Sequence, residues 1–361
     1  MKCKKLHKKS VCAIIQQICK RYILSREEFF VNSQLQDNLS LFVENMNAIK
    51  NDFIWHGGNI KRLAALVYTI EGKKVDNDAI KDCFDMIKSD VGVFSGFRGL
   101  LQVYMAAALS LSEQPKQLFD DAIWVYNELK RDGLWSLEFL ALASLEIASN
   151  AEKENHTYII DRSREFYREL KANHRYAIGR DNYIIATMLA FSHLDPHQAA
   201  NKIKQTYQLI RSNFSFFMSK PCMIKLSKML VLSDNPEESV SNLLRLNRIL
   251  RNHKIRLDRS FTLPSLGVLG MLSKGHEDLA NDILEAIDYL RSQKGFGSFS
   301  VGRQELLLYV VSIIVSTYAS NKYANTVANS NVTTCIINIV IAQHVAILIA
   351  VISTGAAASA R

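Results

Sequence analysis

With 361 residues, 48% of them hydrophobic, and only five prolines, the chain can bury a sizeable core and is too poor in turn-formers for an all-β or disordered protein. Its formal charge of +9 and pI near 9.1 favour acidic partners, although Lys2, Lys4, Lys5, Lys8 and Lys9 place much of that excess in a short N-terminal tail. The cysteines at 3, 12, 19, 83, 222 and 335 contain no C-x-x-C pair, and Cys3, His7 and Cys12 form only a loose set; thiols in a reducing compartment, with no metal or cofactor, are expected.

In chain order, the basic N-terminus leads to an apolar run, Val11 to Ile15. Gln16-Gln17 stops it without a small-residue cleavage site, so the spacing predicts a short amphipathic helix and not a signal peptide. Ser25-Arg26-Glu27-Glu28 then looks like a cap ahead of Phe29-Phe30, and Leu39 to Ile49 reads as a further helix. Residues 1–51 are expected to cap a repeat domain over 52–361, because a terminal repeat must cover an apolar face that no neighbour buries.

The repeat shows in one recurring helix ending: an apolar or aromatic residue, an aliphatic three positions on, a base, then a small polar cap. It occurs at Phe84 with Lys88, Tyr126 with Lys130, Tyr167 with Lys171 and Tyr207 with Arg211, and again, around Asn247 and Ile287, with Arg251 and Arg291. The bases recur about every forty residues, the period of stacked helix pairs. One member of each pair is apolar around most of its circumference and begins near Ile60, Leu100, Leu137, Tyr183, Cys222, Leu263 or Glu305; such helices form an inner, buried layer. The other members are amphipathic. Two of them open with an N-cap acceptor before proline, at Asp195-Pro196-His197-Gln198 and Asn235-Pro236-Glu237-Glu238. The expected fold is therefore all-α: a helix-pair array of about seven units, either a curved α-solenoid or a closed α/α toroid.

Val332 to Ser353 breaks the pattern, carrying no formal charge over a length that can span a bilayer. Asn338 and Gln343-His344 would sit near mid-membrane, where polar groups are costly, so a buried helix closing the array is preferred over a C-terminal membrane anchor.

Several stretches resemble the uncharacterised bacterial family designated domain of unknown function 4003. They are Leu63-Ala64-Ala65-Leu66 followed by Glu71-Gly72-Lys73, the turn Phe94-Ser95-Gly96-Phe97, Gly295-Phe296-Gly297-Ser298-Phe299, and Ala342-Gln343-His344 in the tail. The resemblance runs from about Asp52 onward. It implies a helical fold and a cytoplasmic setting, and it carries over no catalytic residue.

Two basic series are candidates for chemistry. The bases that end the amphipathic helices suit the helix dipole and the free carbonyls of the last turn, and the alternative is a ladder for a polyanion. A second series, Arg98, Arg180, Lys220, Arg259 and Arg303, lies at or just before the starts of the apolar helices, where a cation meets the positive end of the dipole. Glycine beside Arg98, Arg180 and Arg303 leaves room for close backbone approach, so this series is a candidate anion site; pairing with Asp181, Asp258 or Glu305 is the structural explanation that the sequence favours slightly over it. Glu138, Asp181, Asp258 and Glu305 are the carboxylates an enzyme would use, but no D-x-D-D cluster or activated nucleophile accompanies them. The sequence thus points to a non-catalytic scaffold for a protein or anionic ligand. It leaves open an α/α-toroid enzyme acting on a glycan or isoprenoid, nucleic-acid binding, and membrane attachment through 332–353.

Overall fold

A computed structural model describes residues 33–131, 137–173, 182–214, 219–233, 235–258, 262–272 and 275–319. Among them are fourteen α-helices and no strand. In order they are α1 (33–49), α2 (Gly58–Ile70), α3 (Asn77–Asp90), α4 (Gln102–Ser110), α5 (Pro115–Lys130), α6 (Leu137–Asn150) and α7 (His156–Asn173). They continue with α8 (Asn182–Phe191), α9 (Pro196–Phe214), α10 (Lys220–Leu230), α11 (Pro236–Asn252), α12 (Leu263–Met271), α13 (His276–Ser292) and α14 (Arg303–Ala319). The expected starts of the apolar helices fall within about two residues of the observed ones. The predicted helix over 11–23, the cap at 25–28 and the segment 332–353 lie outside the described residues.

The even-numbered helices are buried along nearly their whole length: Ile60 to Thr69 in α2, every residue of α12, and Leu306 to Tyr318 in α14. With no polar face to give to water, they are stable only because each buried aliphatic side chain contributes about 1.5–3 kcal/mol of transfer free energy. The odd-numbered helices bury one stripe, such as Ala199, Ile203, Thr206 and Ile210 in α9 or Val240, Leu243, Leu246 and Leu250 in α11, and turn charges outward. Their starts use local capping chemistry. Asp195 Oδ1 accepts from the amides of His197 and Gln198, each at 3.0 Å, and Asn235 Oδ1 from Glu238 N at 3.2 Å, as the two motifs predict. Asp76 does the same for α3, accepting from Asp78 N and Ala79 N.

Successive even helices pack side by side, with α2 on α4, α6 on α8, α10 on α12 and α12 on α14, and α14 in turn lies against α2. Arg62 near the start of α2 meets Glu305 near the start of α14 at 3.0 Å, and Tyr68 near the end of α2 bonds Ser110 at the end of α4 at 2.7 Å. These three helices are therefore parallel, in the spatial order α14, α2, α4. Helix α1 touches α14 and α2: Asn38 donates to Thr317 of α14, and Asn45 donates to Thr69 of α2 and to the Lys73 carbonyl beyond it. Among the described residues no helix is long and apolar enough to cross a membrane.

Candidate functional site

Each odd helix ends, and the following even helix begins, at one end of its pair, so both predicted basic series belong to loops of the same kind. Arg98 precedes a 3-10 turn (Gly99–Leu101) that opens into α4, and Lys220 and Arg303 are the first residues of α10 and α14. Arg180 and Arg259 lie outside the described residues. Two of the three described cations are engaged by backbone. Arg98 Nη1 donates to the carbonyls of Val91 at 3.3 Å and Lys88 at 3.5 Å, and Arg303 Nη2 to that of Lys254 at 2.7 Å. Of the three expected acids, Asp181 lies outside the described residues and the other two are held elsewhere: Glu305 holds Arg62, while Asp258 holds Arg256 at 3.1 Å and Arg251 at 3.5 Å. Lys220 is exposed.

Among the helix-ending bases, Arg291 follows the same logic, whereas Arg251 pairs with the Asp258 carboxylate and Lys130 lies over the Tyr126 ring. Arg291 Nη1 donates to Phe296 O at 2.7 Å and Val301 O at 2.9 Å, fastening the loop between α13 and α14. At the opposite end, Arg162 of α7 donates to the carbonyls of Ala190, Ser192 and Leu194, closing the C-terminus of α8. A guanidinium offers five donors in a fixed fork, and here the fork satisfies carbonyls that the end of a helix leaves orphaned.

Buried polar contacts connect the even helices. Glu305 Oε1 accepts from Arg62 Nε at 3.1 Å and from the Tyr309 hydroxyl at 2.6 Å. Burial opposes the Arg62 charge, but Tyr309 and Glu305 more than offset it and hold its pKa above the ordinary value. Burial and then the Glu305 carboxylate push the Tyr309 hydroxyl far up, so it stays a donor at any physiological pH. Burial and then Glu146 of α6 likewise raise Tyr104 of α4, and Lys228 of α10, itself buried, donates to Asn182 of α8 at 2.9 Å.

A cavity of about 260 Å³ opens between α5, α6, α7 and α8. Arg164, Arg168 and Lys171 line it, spaced along one face of α7, with Ser163, Thr187 and the tyrosines Tyr167 and Tyr183. The two tyrosine rings stack at 4.3 Å, and the Tyr183 hydroxyl donates to that of Tyr167 at 3.0 Å, which leaves the Tyr167 proton available to a ligand. Arg164 is partly spoken for, since it bonds Asp161 at 2.7 Å and the Glu128 carbonyl at 3.0 Å. A shallower hollow of about 380 Å³, lined by Phe97, Tyr126, Asn127 and Lys130 among others, occupies the corresponding place on α5. The signal for the first cavity was present as cations at i, i+4 and i+7, but Arg164 and Arg168 fall outside the forty-residue period and so were not singled out. Among the described residues no group of three or more His, Cys, Asp or Glu is placed to hold a metal.

No curated protein and no solved structure matches this chain. The family described as protein of unknown function (DUF4003) matches residues 45–349, most of the sequence and all helices from α2 to α14; the chain belongs to that family.

Proposed function

We propose that the fourteen helices close into an α/α ring of seven pairs, with the even helices as its inner wall and the odd helices outside. The contact of α14 with α2, tied by Arg62, Glu305 and Tyr309, supports closure, and the hydrogen bond from Lys228 of α10 to Asn182 of α8 supports continuity of the wall. On this reading residues 33–49 serve as the outer member beside α2 and α14.

The ring is a non-catalytic scaffold that binds a small anion-bearing ligand, phosphate or carboxylate, in the cavity between α5 and α8. The observation carrying this is the convergence of Arg168, Lys171 and the Tyr167 hydroxyl on one hollow, with Arg164 behind them. Cations with a neutral donor between them match an oxyanion better than a neutral solute. The cavity is smaller than the usual site for a drug-sized molecule, which favours a compact ligand. We take the setting to be cytoplasmic, which cell fractionation tests.

The binding test is titration calorimetry of the full chain with inorganic phosphate and with phenyl phosphate. Changing Arg168→Ala and Lys171→Ala together removes two cations while sparing Arg164, and is expected to weaken any binding at least about tenfold. Binding unchanged in that variant would place the ligand elsewhere and defeat the proposal.

A further inference from the structure

The loops entering α14, α2 and α4 lie along one edge, because those helices are parallel neighbours. All three loops are built on one plan. Each sends an aromatic ring inward as an anchor, fastens its backbone with a cation, and turns another large apolar side chain outward. In residues 50–57, Phe53 packs on Phe84 with centroids 5.4 Å apart, and Lys61 Nζ donates to Lys50 O at 2.8 Å. Between α3 and α4, Phe97 packs on Phe119 and Tyr126, each at 5.3 Å, and Arg98 holds the Val91 carbonyl. Between α13 and α14, Phe296 packs on Phe42 at 5.5 Å, and Arg291 holds two carbonyls.

What these loops hold outward is unusual. Trp55 is 92% exposed, Phe94 87% and Phe299 109%, with Ile54 at 71% and Val93 at 65%. Of the seven strongly exposed large apolar side chains among the described residues, these tips carry five. A lone exposed apolar residue needs no explanation, but their concentration on one edge, each on an anchored loop, marks a surface made to meet something apolar. The charge beside them identifies what. Lys50, Lys88 and Lys294 are exposed on these loops. The neighbouring acids are already countered: Asp52 lies 3.1 Å from Lys81, and Asp90 3.2 Å from Lys116.

We propose that this edge docks the protein on an anionic membrane surface, with Trp55, Phe94 and Phe299 entering the interfacial layer and the bases facing lipid headgroups. Trp and Phe on an otherwise cationic face are the composition that partitions into a bilayer interface, and each lysine or arginine near an anionic leaflet adds to the attraction. The centre of a protein interface is depleted of charge, whereas here an exposed lysine lies five or six residues before each aromatic tip. Anchors and clamps hold the tips outward before binding, so little ordering is lost on docking. The proposal rests on the three loops alone and is independent of the cavity on α7.

The test is co-sedimentation of the full chain with vesicles of phosphatidylcholine, with and without phosphatidylglycerol. The wild type is expected to partition onto the anionic vesicles and to leave them as salt rises. The triple variant Trp55→Ser, Phe94→Ser, Phe299→Ser is expected to melt normally, since these side chains touch solvent, and to lose at least about a hundredfold in partitioning. A chain carrying Trp124→Phe and Trp135→Phe reports on Trp55, whose emission should shift to the blue on anionic vesicles. Equal vesicle binding by wild type and triple variant overturns the proposal, as does an unshifted Trp55 emission on bound protein. Self-association in the absence of lipid that the triple variant abolishes also overturns it, in favour of a second copy of the chain.

Discussion

The contact between α2 and α14 joins residues far apart in sequence, and a double-mutant cycle on Arg62 and Glu305 tests it directly. Changing Arg62→Met leaves the Glu305 carboxylate with the Tyr309 hydroxyl as its described neutral partner. Breaking a fully buried ion pair from one side costs about 3–5 kcal/mol; the Glu305 side chain keeps 24% of its exposure, so water relieves part of this and about 2–3 kcal/mol is expected. With an unfolding entropy of about 2.1 cal/mol/K per residue, that loss lowers Tm by about 3–4 °C. Glu305→Met should cost a similar amount, by stranding the guanidinium. The double variant should cost clearly less than the two singles added, with a coupling of about 2 kcal/mol, because no uncompensated charge remains. The exposed pair Lys74 and Glu44, at 2.6 Å with 74% and 53% of the side chains in solvent, is the control and should couple by less than about 0.5 kcal/mol. Thermal melts of the four proteins supply the numbers. Additive effects at Arg62 and Glu305 would refute the contact, and with it the proposed closure of the inner wall.

Two other outcomes follow from packing and burial. A methyl group at Gly270 in α12 would stand 2.9 Å from Leu243 Cβ and 3.0 Å from the Ser239 carbonyl of α11, whereas at Gly267 it would meet only the end of the Leu226 side chain. Gly270→Ala should therefore destabilise by about 1–2 kcal/mol despite its better helix propensity, and more than Gly267→Ala, as denaturant melts will show. Burial, and then Asp82, push the Cys83 thiol from its ordinary 9.0 to about 11. Since the folded pKa is raised, the stabilisation from keeping this thiol neutral is full below pH 9.0 and is lost as pH rises through about 11; Cys83→Ala should remove that part of the alkaline slope. Peptide mapping after alkylation near pH 8 should find Cys83 unmodified in native protein and labelled once it unfolds.

Much of the fold was legible because its signals are local. An apolar circumference such as Leu63 to Val67 declares a buried helix, and Asp195-Pro196 or Asn235-Pro236 declares where an amphipathic one starts, since both depend on residues within one or two turns. The family resemblance, read from about Asp52, extends over residues 45–349. What was not legible depends on distant partners. Nothing in the spacing around Arg62 announces Glu305, and a cation bound for a backbone carbonyl leaves no complementary residue to find. Arg98 and Arg303 were read as anion ligands because the search for partners ran through acids, while their described partners are peptide oxygens. Phe53 and Trp55 look alike as sequence, yet one packs on Phe84 and the other stands in water.

That last contrast bears on how the two basic series divide their work. A cation at the start of an even helix faces the unfavourable end of a dipole, so it needs a compensating acceptor, and the carbonyls of the preceding loop are the nearest ones. Using Arg98 in this way fixes the loop between α3 and α4, just as Arg291 fixes the one between α13 and α14. The donors thus engaged are directed at the loop backbone, and what they provide is shape: tips held outward at Phe94 and Phe299. Charge that remains free lies elsewhere, on the exposed lysines of the same edge and on Arg168 and Lys171 of α7. On the proposed membrane docking, recognition at this end of the molecule is carried by aromatic tips and exposed lysines, with the arginines as their supports.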